Sequence, residues 1–412
     1  MIKIQSFKYF IYSFLLILLI SFENLLFMVD FTPLNEVQLR ICYLFLLYIL
    51  VIVVFFIEYN NYKSIKLPIT LLDCLLVVFF LLLSIRLYYD INIRQVYHLI
   101  FGHRWMYLFW LLFLCIIPFY MIRKIDFMRL NIVYIYGILI FVYLAGLIFS
   151  FNNVINAVAQ QMLDTRNVGR NEASTILDTI TYGHFAVTLF LLCFSLYPHL
   201  KSLVFKILLI LISVFSLFSM GIANSRSPII ALIIAILFFC FARKYFKWII
   251  PLSICVFIII YNIDVLEEIF KSFGSNFIGR IRMTFESGIQ DSSSGRDQLY
   301  IYAVDQFLKA PLFGSNYLVD IGKYRGLYVH NFVLESFMAT GILGGLLFVA
   351  VNVWAFRCAY KILVYNNIYI FFAFFFIQQF VYAMFSRTML SMPCYWFSVA
   401  CVCTCYFQLK KM

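Results

Sequence analysis

Three short stretches of this sequence place groups that can bind phosphate or move a proton, two beside apolar runs and one in a polar segment. The first is Asn224-Ser225-Arg226-Ser227-Pro228, in which Arg226 is the only charge between Lys206 and Arg243. Pro228 is a favourable first-turn residue, so the N–H groups of a new helix begin beside the guanidinium, where an anion is stabilised. The second is Ser294-Gly295-Arg296-Asp297, which has the Ser-x-x-acid form of a helix start. Arginine suits phosphate because its planar fork donates two parallel hydrogen bonds. The third is Val329-His330-Asn331-Phe332-Val333-Leu334-Glu335. An unperturbed imidazole titrates near 6.5, which suits His330 as a general base toward a hydroxyl. The plainer alternatives are an arginine snorkelling to headgroups, a solvated helix cap and a structural histidine.

Other polar groups within apolar stretches are Glu23, Asp73, Asp178, His184 and Glu335. Ionisable groups inside a membrane are expensive and are functional candidates. His184 reads as a helix–helix hydrogen bond, and Asp178 and Glu335 as partners of arginines or as lining of a polar cavity. His98, His103 and Arg104 read as interfacial. The sequence has no P-loop, Rossmann glycine pattern, His-x-x-x-His pair or Gly-x-Ser-x-Gly elbow. No external Asp-x-Asp pair offers a divalent-metal site, so neither metal nor cofactor is expected. The eleven cysteines lie in apolar stretches and read as small packing residues.

The elements that must position these groups are membrane spans. Of 412 residues, 65% are hydrophobic and 12% charged, against about 25% charged in soluble domains. So few charges cannot cover a water-facing surface, and an all-α, polytopic membrane bundle follows. A span needs about 20 mainly apolar residues. Twelve are expected: 8–29, 39–57, 67–85, 105–121, 130–150, 174–196, 203–222, 228–242, 246–263, 329–356, 366–385 and 389–408. Twelve spans put both termini on one side. Lys and Arg number 16 on that side and 8 in the short loops opposite, so both termini are expected in the cytoplasm. The net charge of +12 then reflects topology and contact with anionic lipid in the bilayer, and no nucleic-acid partner is expected. Three regions result: residues 1–263 with nine spans, an external loop at 264–328, and residues 329–412 with three spans. Within the loop, Leu299, Tyr302, Ala303, Gln306 and Phe307 recur at helical spacing until Pro311 and Gly314, predicting an amphipathic helix across the outer mouth of the bundle.

The order of Asn224–Pro228, Ser294–Asp297, Lys309-Ala310-Pro311-Leu312-Phe313-Gly314, His330–Glu335 and Gly341-Ile342-Leu343-Gly344 resembles the O-antigen polymerase and O-antigen ligase superfamily of bacterial inner-membrane glycosyltransferases. The resemblance covers about residues 215–350. It implies a GT-C-like helical fold, a site facing the periplasm and an undecaprenyl-diphosphate-linked oligosaccharide as donor. It implies Arg226 and Arg296 on the diphosphate, His330 as the catalytic base, no metal and inversion at the anomeric carbon. Asp297, Lys323, Arg325 and Glu335 are further candidates for substrate contact, and a chain-length-regulating membrane protein is a candidate partner. The high Phe, Tyr and Ile content favours a polymerase over a ligase. A lipid-linked oligosaccharide flippase is the non-enzyme rival, and its loops would be uniformly short. A secondary transporter would show inverted repeats and broken mid-membrane helices, and neither is expected here.

Overall fold

The computed structural model describes residues 2–25, 36–62, 70–96, 106–164, 179–248, 261–272, 278–279, 296–365 and 367–411. The helices are α1 (Ile2–Ile20), α2 (Glu36–Tyr62), α3 (Leu71–Tyr89), α4 (Met106–Trp110), α5 (Ile117–Ile122), α6 (Ile132–Asp164), α7 (Thr179–Leu196), α8 (Leu203–Ile222), α9 (Ser227–Arg243), α10 (Ile263–Ser272), α11 (Arg296–Lys309), α12 (Phe332–Tyr365), α13 (Ile370–Phe385) and α14 (Pro393–Leu409). A π-helical segment, Asp90–Arg94, extends α3, and another, Leu111–Ile116, joins α4 to α5. Every expected span except the ninth coincides with a helix, α4 and α5 sharing one. The ninth, 246–263, falls largely outside the described residues.

Among the described residues, five stretches are long and apolar enough to cross a bilayer: Leu71–Arg94, Ile132–Asn156, Thr179–His199, Leu203–Ile222 and Phe332–Tyr365. The protein is a polytopic helical membrane bundle.

Helices α13 and α14 are enclosed on all sides, as an all-round apolar helix must be in a large bundle. Phe371, Phe372, Phe374, Phe375 and Phe376 of α13 are buried, as are Cys401, Cys403 and Cys405 of α14. Helix α8 instead turns most of its apolar side chains outward. Its exposed Leu, Ile and Val residues suit a lipid face.

Each end of the bundle is fastened by an arginine. At one end, buried Arg123 donates from Nε to Asp73 Oδ1 at 3.1 Å and from Nη2 to Asp73 Oδ2 at 3.0 Å, and also reaches Thr404 of α14. Asp73 in turn accepts from the Thr70 N–H and hydroxyl at the start of α3. This polar group in an apolar stretch is therefore a bidentate ion-pair partner that stitches three elements together.

At the other end, Arg86 of α3 donates to four backbone carbonyls: Ala339 at 3.0 Å, Ser315 at 2.7 Å, Gly314 at 2.6 Å and Phe313 at 3.1 Å. Arg94 bonds to the Asn316 side chain, and the Tyr317 N–H donates to Asp90 at 2.7 Å. The carbonyls are available because α12 is broken. Gly341 stands at φ 65 and ψ −164 inside it, ahead of the stretch that is long enough to span. The break lets the Ser315 N–H donate to Met338 O at 2.9 Å and the Ile342 N–H to Pro311 O at 2.7 Å. Gly314, at φ 76, and Gly341 are interlocked: a Cβ on either would strike the other segment's backbone. Residues 342–365 extend about 36 Å at about 1.5 Å per residue, enough to cross a hydrocarbon core of about 30 Å unaided. Residues 332–340 form a separate short segment.

Above that segment lies a second, smaller core. Leu299 and Ala303 of α11 pack with Val319, Val329 and Met338, and Phe307 meets Phe337 edge to face. Backbone bonds between Val319 and Leu327 and between Gly326 and Val319 close a tight hairpin, fastened by Arg325 on Asp320 at 2.9 Å. The segment read as one loop from 264 to 328 also carries α10, whose Phe270 lies against Gly221 of α8.

Candidate active site

Helix α8 ends at Ile222 and α9 begins at Ser227, with Asn224 in a left-handed conformation between them. Pro228 lies in the first turn of α9 and rests on Gly183 of α7, where a Cβ would clash with the proline ring. That contact holds the Ser225-Arg226-Ser227 turn against α7. There Ser227 Oγ lies 3.2 Å from His184 Nε2, and Ser225 Oγ lies 3.5 Å from Ser227 Oγ. The His184 ring is buried and stacks on Tyr382 of α13 at 3.8 Å.

A buried polar seam continues between α7 and α13. The Tyr382 hydroxyl is 2.8 Å from Thr181 Oγ1, and Gln378 Nε2 donates to His184 O at 2.8 Å and bonds Thr188. Thr181, His184 and Thr188 recur at helical spacing and so share one face of α7. Interhelical hydrogen bonds of this kind contribute about 0.6–2 kcal/mol each in a membrane.

Arg296 opens α11, and its Nη1 donates to the carbonyl of Phe385, the last residue of α13. Arg226, by way of its turn, His184 and Tyr382, and Arg296 directly, are thus both tied to the same end of α13. Asp297 occupies the first turn of α11. Arg325 is engaged by Asp320 in the hairpin. Ser294 and Gly295, the Lys323 side chain, Asp178, His98, His103 and Arg104 lie outside the described residues.

His330 immediately precedes the short first segment of α12. Its backbone is left-handed, φ 61, and its ring lies 4.2 Å from that of Tyr328. Glu335, one turn into α12, is fully buried. It pairs with no arginine among the described contacts. Instead its Oε1 accepts from the Thr388 hydroxyl at 2.5 Å and the Met389 N–H at 3.2 Å. Tyr317 also bonds Thr388. Of the two readings, arginine partner or lining of a polar cavity, the described contacts of Glu335 are a hydroxyl and a backbone N–H. Glu335 therefore fastens the helix that follows His330 to residues 386–392, which continue directly from α13.

Another charged group at this end is missing from the three sequence constellations. Arg387, φ 66, donates from Nη2 to Thr181 Oγ1 at 2.7 Å and from Nε to the Tyr382 hydroxyl at 3.1 Å. Its Nη1 lies 3.9 Å from Glu23. In the sequence it is one arginine in a short loop, Ser386-Arg387-Thr388, with no local pattern to mark it.

Apolar spans around a buried polar seam define a multi-pass membrane protein. Residues 211–349 match the family model described as O-antigen ligase, in agreement with the O-antigen polymerase/ligase superfamily that the motif order resembles. The matched segment runs from α8 into α12 and contains Arg226, Arg296, both interlocked glycines and His330. Members of this family are glycosyltransferase-like O-antigen polymerases or ligases acting on lipid-linked glycans in membranes. No curated protein and no solved structure matches the chain.

Proposed function

We propose that this protein is an O-antigen polymerase of the bacterial inner membrane, joining undecaprenyl-diphosphate-linked repeat units on the periplasmic face. The observation that carries this reading is the meeting of the Arg226 turn and Arg296 at one end of α13, inside the family-matched segment for the two arginines. Two arginines whose elements meet at one helix end suit a diphosphate, because each guanidinium can donate a fork of charge-assisted hydrogen bonds.

In the proposed step His330 accepts the proton of an acceptor sugar hydroxyl. The oxygen attacks the anomeric carbon of the donor, and the bond from that carbon to the diphosphate oxygen breaks. The lipid diphosphate leaves with the electron pair, and attack from the opposite face inverts the anomeric centre. Arg226 and Arg296 stabilise the charge that develops on the leaving group. The excess of Lys and Arg on the terminal side orients this end outward.

The test is purified protein with a synthetic lipid-diphosphate repeat unit, with and without lipid A–core. Polymer formed without lipid A–core supports the polymerase. Transfer only when lipid A–core is present supports the alternative, a ligase. Translocation without transfer supports a flippase. Two variant sets bear on the roles. His330→Ala is expected to abolish polymer while protein and single repeats still reach the membrane, and normal chain-length ladders in that variant would remove His330 from the mechanism. Arg226→Lys and Arg296→Lys are each expected to lower turnover about tenfold or more, since an ammonium cannot supply the bidentate fork.

A further inference from the structure

Helix α11 presents three faces. Leu299, Ala303 and Gln306 are buried, the first two in the smaller core. Gln298, Asp305 and Lys309 are polar and exposed. A third row is apolar and also exposed: Ile301, Val304 and Leu308, three and four residues apart and therefore on one side of the helix. Asp297 heads the same row, so the apolar stripe begins in the second turn. Just past the helix the stripe gains Leu312 and Phe313, exposed by 60% and 64%. An ordinary surface helix has one apolar stripe and buries it against the core. Helix α11 has a second, and it stays exposed.

Two membrane spans hold the end of this stripe. Arg86 of α3 donates to the Phe313 carbonyl at 3.1 Å and to the Gly314 carbonyl at 2.6 Å. The Ile342 N–H, where the long segment of α12 begins, donates to Pro311 O at 2.7 Å. Beside these anchor points both spans turn apolar side chains outward: Leu81 and Ile85 on α3, and Ile342, Leu343 and Leu346 on α12. The exposed stripe of α11 therefore runs on into the lipid-facing surface of the bundle. Its level is marked as well. Tyr88 and Tyr89, both exposed, follow Arg86 at the end of α3, and tyrosines at a span end sit at headgroup height. An exposed apolar patch marks a protein or a membrane contact. A protein partner in water would call for a patch set apart from the bilayer, and this one is continuous with it.

We infer that α11 is seated in the membrane surface, with Ile301, Val304, Leu308, Leu312 and Phe313 entering the boundary between headgroups and acyl chains. Helices of this kind sink about 5–10 Å into that boundary. Gln298, Asp305 and Lys309 then face headgroups and water, and the occupant of the stripe is the bilayer itself. A consequence follows for the proposed site, and it rests on the reading that the site binds a lipid diphosphate. A helix lying in the interface holds its own first residue, Arg296, at headgroup height, where the phosphates of a membrane-anchored donor lie. The smaller core on the inner face of α11 contains Val329, so the same seat sets the height of the adjoining His330.

The experiment places the photo-crosslinking residue p-benzoylphenylalanine at single exposed positions of the full-length protein, in nanodiscs of phosphatidylethanolamine and phosphatidylglycerol, and reads adduct masses after irradiation. At Val304, Leu308 and Phe313 a phospholipid adduct is expected, several-fold more abundant than at Gln298 or Asp305 on the polar face. Equal yields from the two faces, or no lipid adduct from the stripe, overturn the inference. The same variants irradiated in intact cells test the other occupants: an adduct with a second copy of this chain, or with a different protein, in place of lipid overturns it too. The lipid adduct requires no catalysis, so failure of the glycosyl-transfer reading would leave this result standing. The consequence for the site has its own measurement. Leu308→Glu combined with Phe313→Glu is expected to lower turnover of a membrane-embedded lipid-diphosphate repeat several-fold, while Leu308→Met combined with Phe313→Leu stays close to the parent. Parent-like turnover in the glutamate pair would show that the seat does not set the height of Arg296.

Discussion

Gly314 and Gly341 show how much a single hydrogen atom in place of a side chain can determine. Each adopts a positive φ, and each presses its Cα against the other segment's backbone. Alanine at either position would meet both a left-handed backbone, disfavoured by about 1–2 kcal/mol, and a collision with main-chain atoms that cannot rotate away. Gly341→Ala and Gly314→Ala are each expected to destabilise by about 2 kcal/mol or more, read as an earlier thermal transition in detergent, with loss of activity. Gly137 is the contrast. It lies exposed on α6 with nothing near its would-be Cβ, so Gly137→Ala is expected to be neutral or to stabilise by up to about 1 kcal/mol. At this scale residue type and neighbours single out Arg226 and His330 as polar groups beside apolar runs, and Arg296 by the helix-start pattern around it. Arg387 and Arg86 did not stand out, because Thr181 and the carbonyls of 313–315 and 339 that they bind are far away in the sequence. Arg86 is 227 to 253 residues from the carbonyls it binds, and its local i,i+4 pair with Asp90 does not announce them.

At the scale of elements, hydropathy located the helices well and their interruptions poorly. A window that averages about twenty residues passes smoothly over one glycine, so α12 read as a continuous span. The Gly341-Ile342-Leu343-Gly344 run marked the place without revealing the clasp. The arginine fasteners allow separate tests at the two ends. Arg86→Lys replaces a planar fork serving four carbonyls with a single ammonium of at most three donors. The expected result is faster protease cleavage between residues 311 and 328, with the remaining bundle intact. Asp73→Ala at the opposite end leaves the buried Arg123 guanidinium without its bidentate carboxylate. That is expected to cost about 3–5 kcal/mol, visible as global rather than local loss of stability. A purely local change in the second variant, or a global one in the first, would reverse the assignment of these two arginines.

For the whole molecule, composition alone dictated a helical membrane bundle, since 12% charged residues cannot solvate 412. The choice between polymerase and ligase was not legible, because it depends on which acceptor the site admits, and no residue pattern encodes an acceptor's shape. Topology is open to direct measurement. Alkaline phosphatase joined within α11 or the following hairpin is expected to be active, and the same reporter after residue 411 inactive; the opposite pattern would turn the proposed site toward the cytoplasm.

The enclosed position of α13 and α14 also has a consequence for biosynthesis. These two helices form the bundle's centre, yet the ribosome makes them after nearly everything that packs around them. The first helix finds a partner in the last: Cys394 at the start of α14 points its thiol at the carbonyl of Leu19. Early helices must therefore wait in the bilayer as a loose ring, their inward faces meeting only one another or lipid, until the final segments are threaded among them. A chain stopped after residue 365 would possess Arg226, Arg296 and His330 but no hub. It is expected to be cleared by membrane proteases, leaving far less material in isolated membranes than the full chain does.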